Sequence, residues 1–113
     1  MADPLRGEVW NVNLDPTRGR EQRGTRPAIV VSHDTFNRSP SEIVIVVPLT
    51  STDRGIPLHV KVEPPEGGLK NTSFAKTEDV RSVSKERFSR RLGSVSRSTM
   101  LAVSDRLRIL LDL

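Results

Sequence analysis

Ile43-Val44-Ile45-Val46-Val47 is an unbroken β-branched run set between Glu42 and Pro48-Leu49. Five such residues in succession leave no polar side for water, so residues 42–49 predict a strand covered on both faces. Residues 27–32, with Ala28-Ile29-Val30-Val31 inside, repeat the pattern. Weaker strand signals fill most of the remaining chain. Residues 7–14 alternate imperfectly between Trp10, Val12, Leu14 and Val9, Asn11, Asn13. Leu58, Val60 and Val62 alternate with His59, Lys61 and Glu63, the pattern of a strand with one wet face. Shorter extended pieces are predicted at 73–76, 79–83 and 90–95. Ser84-Lys85-Glu86-Arg87 reads as one helical turn with a serine cap, and Pro64-Pro65-Glu66-Gly67-Gly68 as a tight surface turn.

The last segment changes period. Met100, Val103, Leu107, Leu110 and Leu111 recur at helical spacing, with Ser96 or Ser98 as the N-cap. Their stripe predicts core packing. Many short strands closed by one amphipathic helix predict a mainly β fold: a compact twisted β-barrel with the helix on its flank. At 113 residues the chain fits one domain spanning 1–113. No apolar stretch approaches the ~20 residues of a membrane helix, and residues 1–6 lack the layout of a secretory signal. Zero cysteines remove disulfide and thiol chemistry and fit a reducing cytoplasm. The expectation is a small soluble cytoplasmic domain.

Two long loops remain, 15–25 and 50–56, and the first concentrates charge. From Pro16 to Arg26, four arginines (Arg18, Arg20, Arg23, Arg26) face one carboxylate, Glu21. The whole chain carries +4. Basic surface attracts phosphate and releases its counterions. A guanidinium offers a fork of donors to two phosphate oxygens and never loses its charge. Arg26 precedes Pro27 and a buried strand, which fixes its backbone; Glu21 is a nearby proton acceptor. Together they suggest chemistry on a phosphodiester, and the same composition also fits a solvated loop.

The other constellations are weaker. Pro48-Leu49-Thr50-Ser51-Thr52 ends the most apolar strand in three hydroxyls, able to donate to phosphate or simply to form a turn. His59 and His33 read as surface residues. With only these two histidines and no cysteine, a conventional zinc site is not expected. Glu78 and Asp79, neighbours on a predicted strand, point to opposite faces and should not share a metal. Four aromatics and no tyrosine give no stacking platform, so nucleic-acid binding would rest on charge and hydrogen bonds.

One set of motifs joins these pieces. Arg6-Gly7-Glu8-Val9-Trp10, Leu14-Asp15-Pro16-Thr17, Gly19-x-Glu21-Gln22-x-Gly24-x-Arg26-Pro27, Val30-Val31-Ser32, Asn37, Val47-Pro48-Leu49-Thr50 and a Leu-rich closing helix occur in that order. The chain resembles the MazF/PemK (Kid) toxins from Arg6 to Leu113. The resemblance implies an SH3-like barrel of the type shared with CcdB. It implies a homodimer that cuts single-stranded RNA, messenger RNA foremost, without metal or cofactor. Cleavage would leave 2′,3′-cyclic phosphate and 5′-hydroxyl ends. A cognate MazE-type antitoxin would neutralise it and form with it a DNA-binding complex. Its key residues map onto Glu21, Arg26 and Thr50. RNA contacts are expected from Arg18, Arg20, Arg23, Ser51 and Thr52, and from the strand around Lys76, Glu78 and Arg81. A CcdB-like gyrase poison and a non-catalytic RNA-binding regulator are the alternatives.

Overall fold

A computed structural model describes residues 2–113. Seven antiparallel strands form one bent sheet in the order β4-β5-β3-β2-β1-β7, with β6 also paired to β3. They are β1 (Glu8–Asn13), β2 (Thr25–Val30), β3 (Ile43–Thr50), β4 (His59–Val62), β5 (Ser73–Lys76), β6 (Arg81–Ser84) and β7 (Phe88–Ser94). A one-turn helix, α1 (Asp34–Asn37), leads into β3, and α2 (Arg97–Leu111) ends the chain. The strip curls like a barrel without closing; β4 and β7 end its path, and β6, paired to β3, adds a further edge.

Strand β3 is the hub. Val46–Pro48 pair with β2 on one side, while on the other Ile43–Val46 pair with β6 and Leu49–Thr50 with β5. Its unbroken apolar run has a direct cause: both faces of the sheet carry a core. Val9, Ile29, Val47 and Leu49 join Val60, Val62, Ala75 and Val103 of α2 on one face. Trp10, Val12, Ala28, Val30, Val44 and Val46 meet Val83 and Phe88 on the other. Burying each such side chain contributes about 1.5–3 kcal/mol. Trp10 meets Phe88 edge-on with centroids 5.9 Å apart, and its Nε1 donates to Glu8 at 3.0 Å. Asn37 is wholly buried: its amide donates to the Ser32 carbonyl, and its oxygen accepts from the Ser32 hydroxyl.

Several local expectations change. The strand expected at 79–83 runs Arg81–Ser84, because Thr77–Asp79 form a 3-10 turn. Lys85–Arg87 make the expected single turn, but the Ser84 hydroxyl does not cap it. The 64–68 turn is not simply a surface feature. Gly67 is buried, and a Cβ on Gly68 would lie 2.0 Å from the Leu92 carbonyl oxygen. Ser96 caps α2 by accepting from the Thr99 N–H at 3.2 Å, and Glu66 accepts from the Ser96 N–H at 2.9 Å. The apolar stripe of α2 is narrower than its spacing suggests. Val103 is fully buried and Met100 and Leu107 pack beside it, but Leu111 is 51 % exposed. Among the described residues no helix is long and apolar enough to cross a membrane.

Candidate nucleic-acid interface

The 15–24 loop is shut at its base by its own backbone. The Leu14 N–H donates to the Gly24 carbonyl at 2.9 Å, and the Gly24 N–H to the Asp15 carboxylate at 3.1 Å. Gly24 sits at φ +75°, a left-handed conformation that glycine adopts without strain. Within the loop, the Glu21 carboxylate accepts from the Arg18 N–H at 2.9 Å.

The loop's middle is held from outside, by three side chains of the β5–β6 corner. The Asp79 carboxylate accepts from the Gln22 N–H at 2.8 Å and from the Arg81 guanidinium at 2.7 Å. Arg81 also donates to the carbonyls of Gln22 at 2.9 Å and Leu14 at 3.4 Å. The Lys76 ammonium, itself buried, donates to the Arg20 carbonyl. Hydrogen bonds to charged partners are worth about 1.5–3 kcal/mol each, so this corner fixes the loop's path.

Between loop and corner lies a groove of about 670 Å³. Arg20, Arg23, Arg26, Arg54 and Lys76 line it against three carboxylates, Glu21, Glu78 and Asp79. Arg26 stands at the start of β2, where its Nε donates to the Arg23 carbonyl at 3.0 Å. That bond steadies the guanidinium and leaves both terminal nitrogens without a protein partner among the described residues. Thr50 ends β3. The β2–β3 pairing stops at Ala28–Pro48; two residues beyond it Arg26 pairs with Val12 of β1 and Thr50 with Phe74 of β5, and Thr50 does not line the groove. Thr50 is buried, and its Oγ1 accepts from the Thr52 N–H at 3.2 Å, so its hydroxyl proton remains free to donate.

The groove thus gathers Glu21, Arg26, Arg20, Arg23, Lys76 and Glu78. Arg18 and Thr52 are exposed and lie outside its lining, and Ser51 faces a second concavity that also includes Arg26. The terminal nitrogens of Arg81 are engaged on its own chain. Glu78 and Asp79 do not divide between opposite strand faces: they share a 3-10 turn and both line the groove, although Glu78 is exposed and Asp79 buried.

The expectation for His59 fails. Its side chain is only 3 % exposed, and Nε2 lies 2.9 Å from both oxygens of Glu78. Burial pushes the Glu78 carboxyl up, but the His59 hydrogen bond, its own backbone N–H and the charges of His59 and Lys76 outweigh burial and lower its pKa. An ionised carboxylate on the groove wall accepts N–H groups of bases and repels phosphates, which favours one orientation of a strand. His33 is exposed as expected; it caps α1 by accepting from the Thr35 N–H at 3.0 Å. Arg54, which no sequence motif singles out, also lines the groove; the Asp53-Arg54-Gly55 turn, in which the Gly55 N–H donates to the Asp53 carboxylate at 2.9 Å, places it there.

Residues 5–111 match the family model for PemK-like, MazF-like toxins of type II toxin–antitoxin systems. Over 113 aligned residues the chain is 37 % identical to endoribonuclease MazF9 of Mycobacterium tuberculosis, covering 96 % of each protein. Its fold matches the crystal structure of MazF from Deinococcus radiodurans with a TM-score of 0.87 at 25 % identity, over the full length of both chains. It also matches a mycobacterial endoribonuclease solved in complex with its cognate antitoxin, with a TM-score of 0.80 at 29 % identity, over 97 % of this chain and 96 % of the other.

Proposed function

The chain belongs to the PemK-like, MazF-like toxins of type II toxin–antitoxin systems, and from that membership we propose that it is a sequence-specific endoribonuclease cutting single-stranded RNA without metal. The reaction uses the substrate's own 2′-hydroxyl. Its proton leaves to a base as O2′ bonds to phosphorus. The P–O5′ bond then breaks and O5′ takes up a proton, giving 2′,3′-cyclic phosphate and 5′-hydroxyl ends. The protein must stabilise charge on the nonbridging oxygens and move two protons.

The observation that carries this reading is Arg26: a guanidinium steadied through Nε, with free terminal nitrogens, at the edge of a cationic groove. Arg26 neutralises the charge gathering on phosphorus. Thr50, at the end of the neighbouring strand β3, donates a further hydrogen bond. Glu21 is the base. Arg20 and Arg23 hold the RNA backbone. A guanidinium is a reluctant proton donor, so the part of Arg26 is electrostatic. Residues 1–113 act as one domain, in the cytoplasm, as a homodimer. A cognate antitoxin with an acidic flexible segment neutralises it by lying in the basic groove and excluding RNA.

The test is cleavage of a defined unstructured RNA in EDTA by the protein and by Arg26→Ala and Thr50→Val. By analogy with lost oxyanion donors, Arg26→Ala loses on the order of 10²–10³ in turnover. Near parental turnover in that variant removes Arg26 from the chemistry, and dependence on added metal removes the metal-free mechanism.

A further inference from the structure

The second concavity differs from its neighbours in charge. It measures about 410 Å³, within the roughly 300–1,000 Å³ of small-ligand sites. Three cations border it, Arg26, Lys70 and Arg90, and none of its lining residues is acidic. Three other concavities each carry at least one carboxylate: Glu21, Glu78 and Asp79 in the main groove, Asp15 and Glu86 in another, Glu21 in a third. Among the described residues the side chains of Lys70 and Arg90 make no hydrogen bond or ion pair. Three like charges around one hollow, two of them unpaired, repel each other, and a bound anion relieves that repulsion.

The remaining lining suits a nucleotide rather than a bare anion. One row of the sheet crosses the floor: Arg90 of β7 pairs with Asn11 of β1, which pairs with Pro27 of β2, next to Arg26. Asn71 adds a second amide at the rim. An Asn side chain offers both donors and an acceptor, as the edge of a base requires. Arg26 is the residue common to this hollow and the main groove. A phosphodiester gripped at Arg26 therefore has one neighbour in the groove and the other in the hollow.

We propose that this hollow is a nucleotide subsite for the same RNA, on the far side of the scissile linkage from the arginine-rich loop. Lys70 and Arg90 hold the phosphate there, and Asn11 and Asn71 read the base. The inference rests on the ribonuclease reading, so the test separates the two. Binding is measured with an RNA carrying a single 2′-deoxy residue at the cut site, which cannot be cleaved, across a salt series. Cut sites are mapped in parallel on a randomised RNA pool.

Each single-strand phosphate contact contributes ~0.7 to the slope of log affinity against log salt. Lys70→Ala/Arg90→Ala therefore lowers that slope by about 1.4 and weakens binding on the order of tenfold near 150 mM salt. Asn71→Ala relaxes base preference at one position, on one side of the cut only. An unchanged slope with unchanged preference overturns the subsite. So does a double variant that alters only the oligomeric state, which would make the hollow a contact between copies. If the parent protein cuts no RNA yet the variants show the slope change, the ribonuclease reading falls and the RNA-binding subsite stands. Both basic residues are exposed, and unchanged urea midpoints verify that the variants fold.

Discussion

Asp79→Ala should release the arginine-rich loop, and the size of the effect follows from its contacts. One carboxylate oxygen accepts from the Gln22 N–H at 2.8 Å and from Arg81 at 2.7 Å. Asp79 and Arg81 side chains are 8 % and 17 % exposed, and among the described residues the Arg81 Nε already lacks a partner. Removing one member of a buried pair leaves the other charge stranded, which costs about 3–5 kcal/mol. With a urea m-value of about 1.5 kcal/mol/M for a small domain, the midpoint falls by ~2–3 M. Arg81→Met should cost a similar amount, and the double variant less than the sum, with a coupling of about 1–3 kcal/mol. The loop supplies its own probe, since Arg18, Arg20 and Arg23 are exposed trypsin sites. In Asp79→Ala, cleavage there under native conditions should accelerate by more than an order of magnitude, as the loop opens without global unfolding. A urea midpoint within ~0.3 M of the parent, together with an unchanged trypsin rate, would falsify the claim that the β5–β6 corner holds the loop.

Two further predictions concern the scaffold. Gly68→Ala places a methyl 2.0 Å from the Leu92 carbonyl oxygen at φ +69°, so β7 must shift; a loss above ~3 kcal/mol is expected, against about 1 kcal/mol for Gly19→Ala, which has φ +60° but open space. Thermal melts of the two variants check the contrast. The third is acid sensitivity. Burial raises the Glu66 carboxyl, but hydrogen bonds from the Thr99 hydroxyl and from the Ser96 N–H and hydroxyl outweigh it, so its folded pKa lies below the ordinary 4.5. Glu78 is lowered likewise. A depressed carboxylate contributes stability above its unfolded pKa and loses it as pH falls through the folded value. The melting temperature should therefore drop below about pH 4.5, and Glu66→Gln should flatten part of that fall; an identical acid limb in the variant refutes the assignment.

The central strands were legible because their composition admits one explanation. An unbroken apolar run must be covered twice, and β3 is, by two distinct cores. The closing helix is legible from its period, yet its buried stripe is narrower than the period implies: spacing fixes which residues share a face, whereas the width of the covering surface is set by strands far away in sequence. His59 shows the same limit. Alternation correctly separated it from Val60 and Val62, but nothing local reveals that a 3-10 turn folds Glu78 over that face. Glu21, Arg20, Arg23 and Arg26 are legible together because one stretch of sequence carries them. Arg54, Lys70 and Arg90 lie on separate segments, and only the strand order brings each to Arg26.

The corner that clasps the loop has a consequence for how such a protein can diversify. Lys76, Asp79 and Arg81 grip peptide groups (the carbonyls of Leu14, Arg20 and Gln22 and the amide of Gln22), which nearly every amino acid offers alike. The identities of the neighbouring side chains are therefore free to drift while the curve they ride on stays put. A lineage can rewrite what it recognises one letter at a time, without having to reinvent the shape that does the recognising.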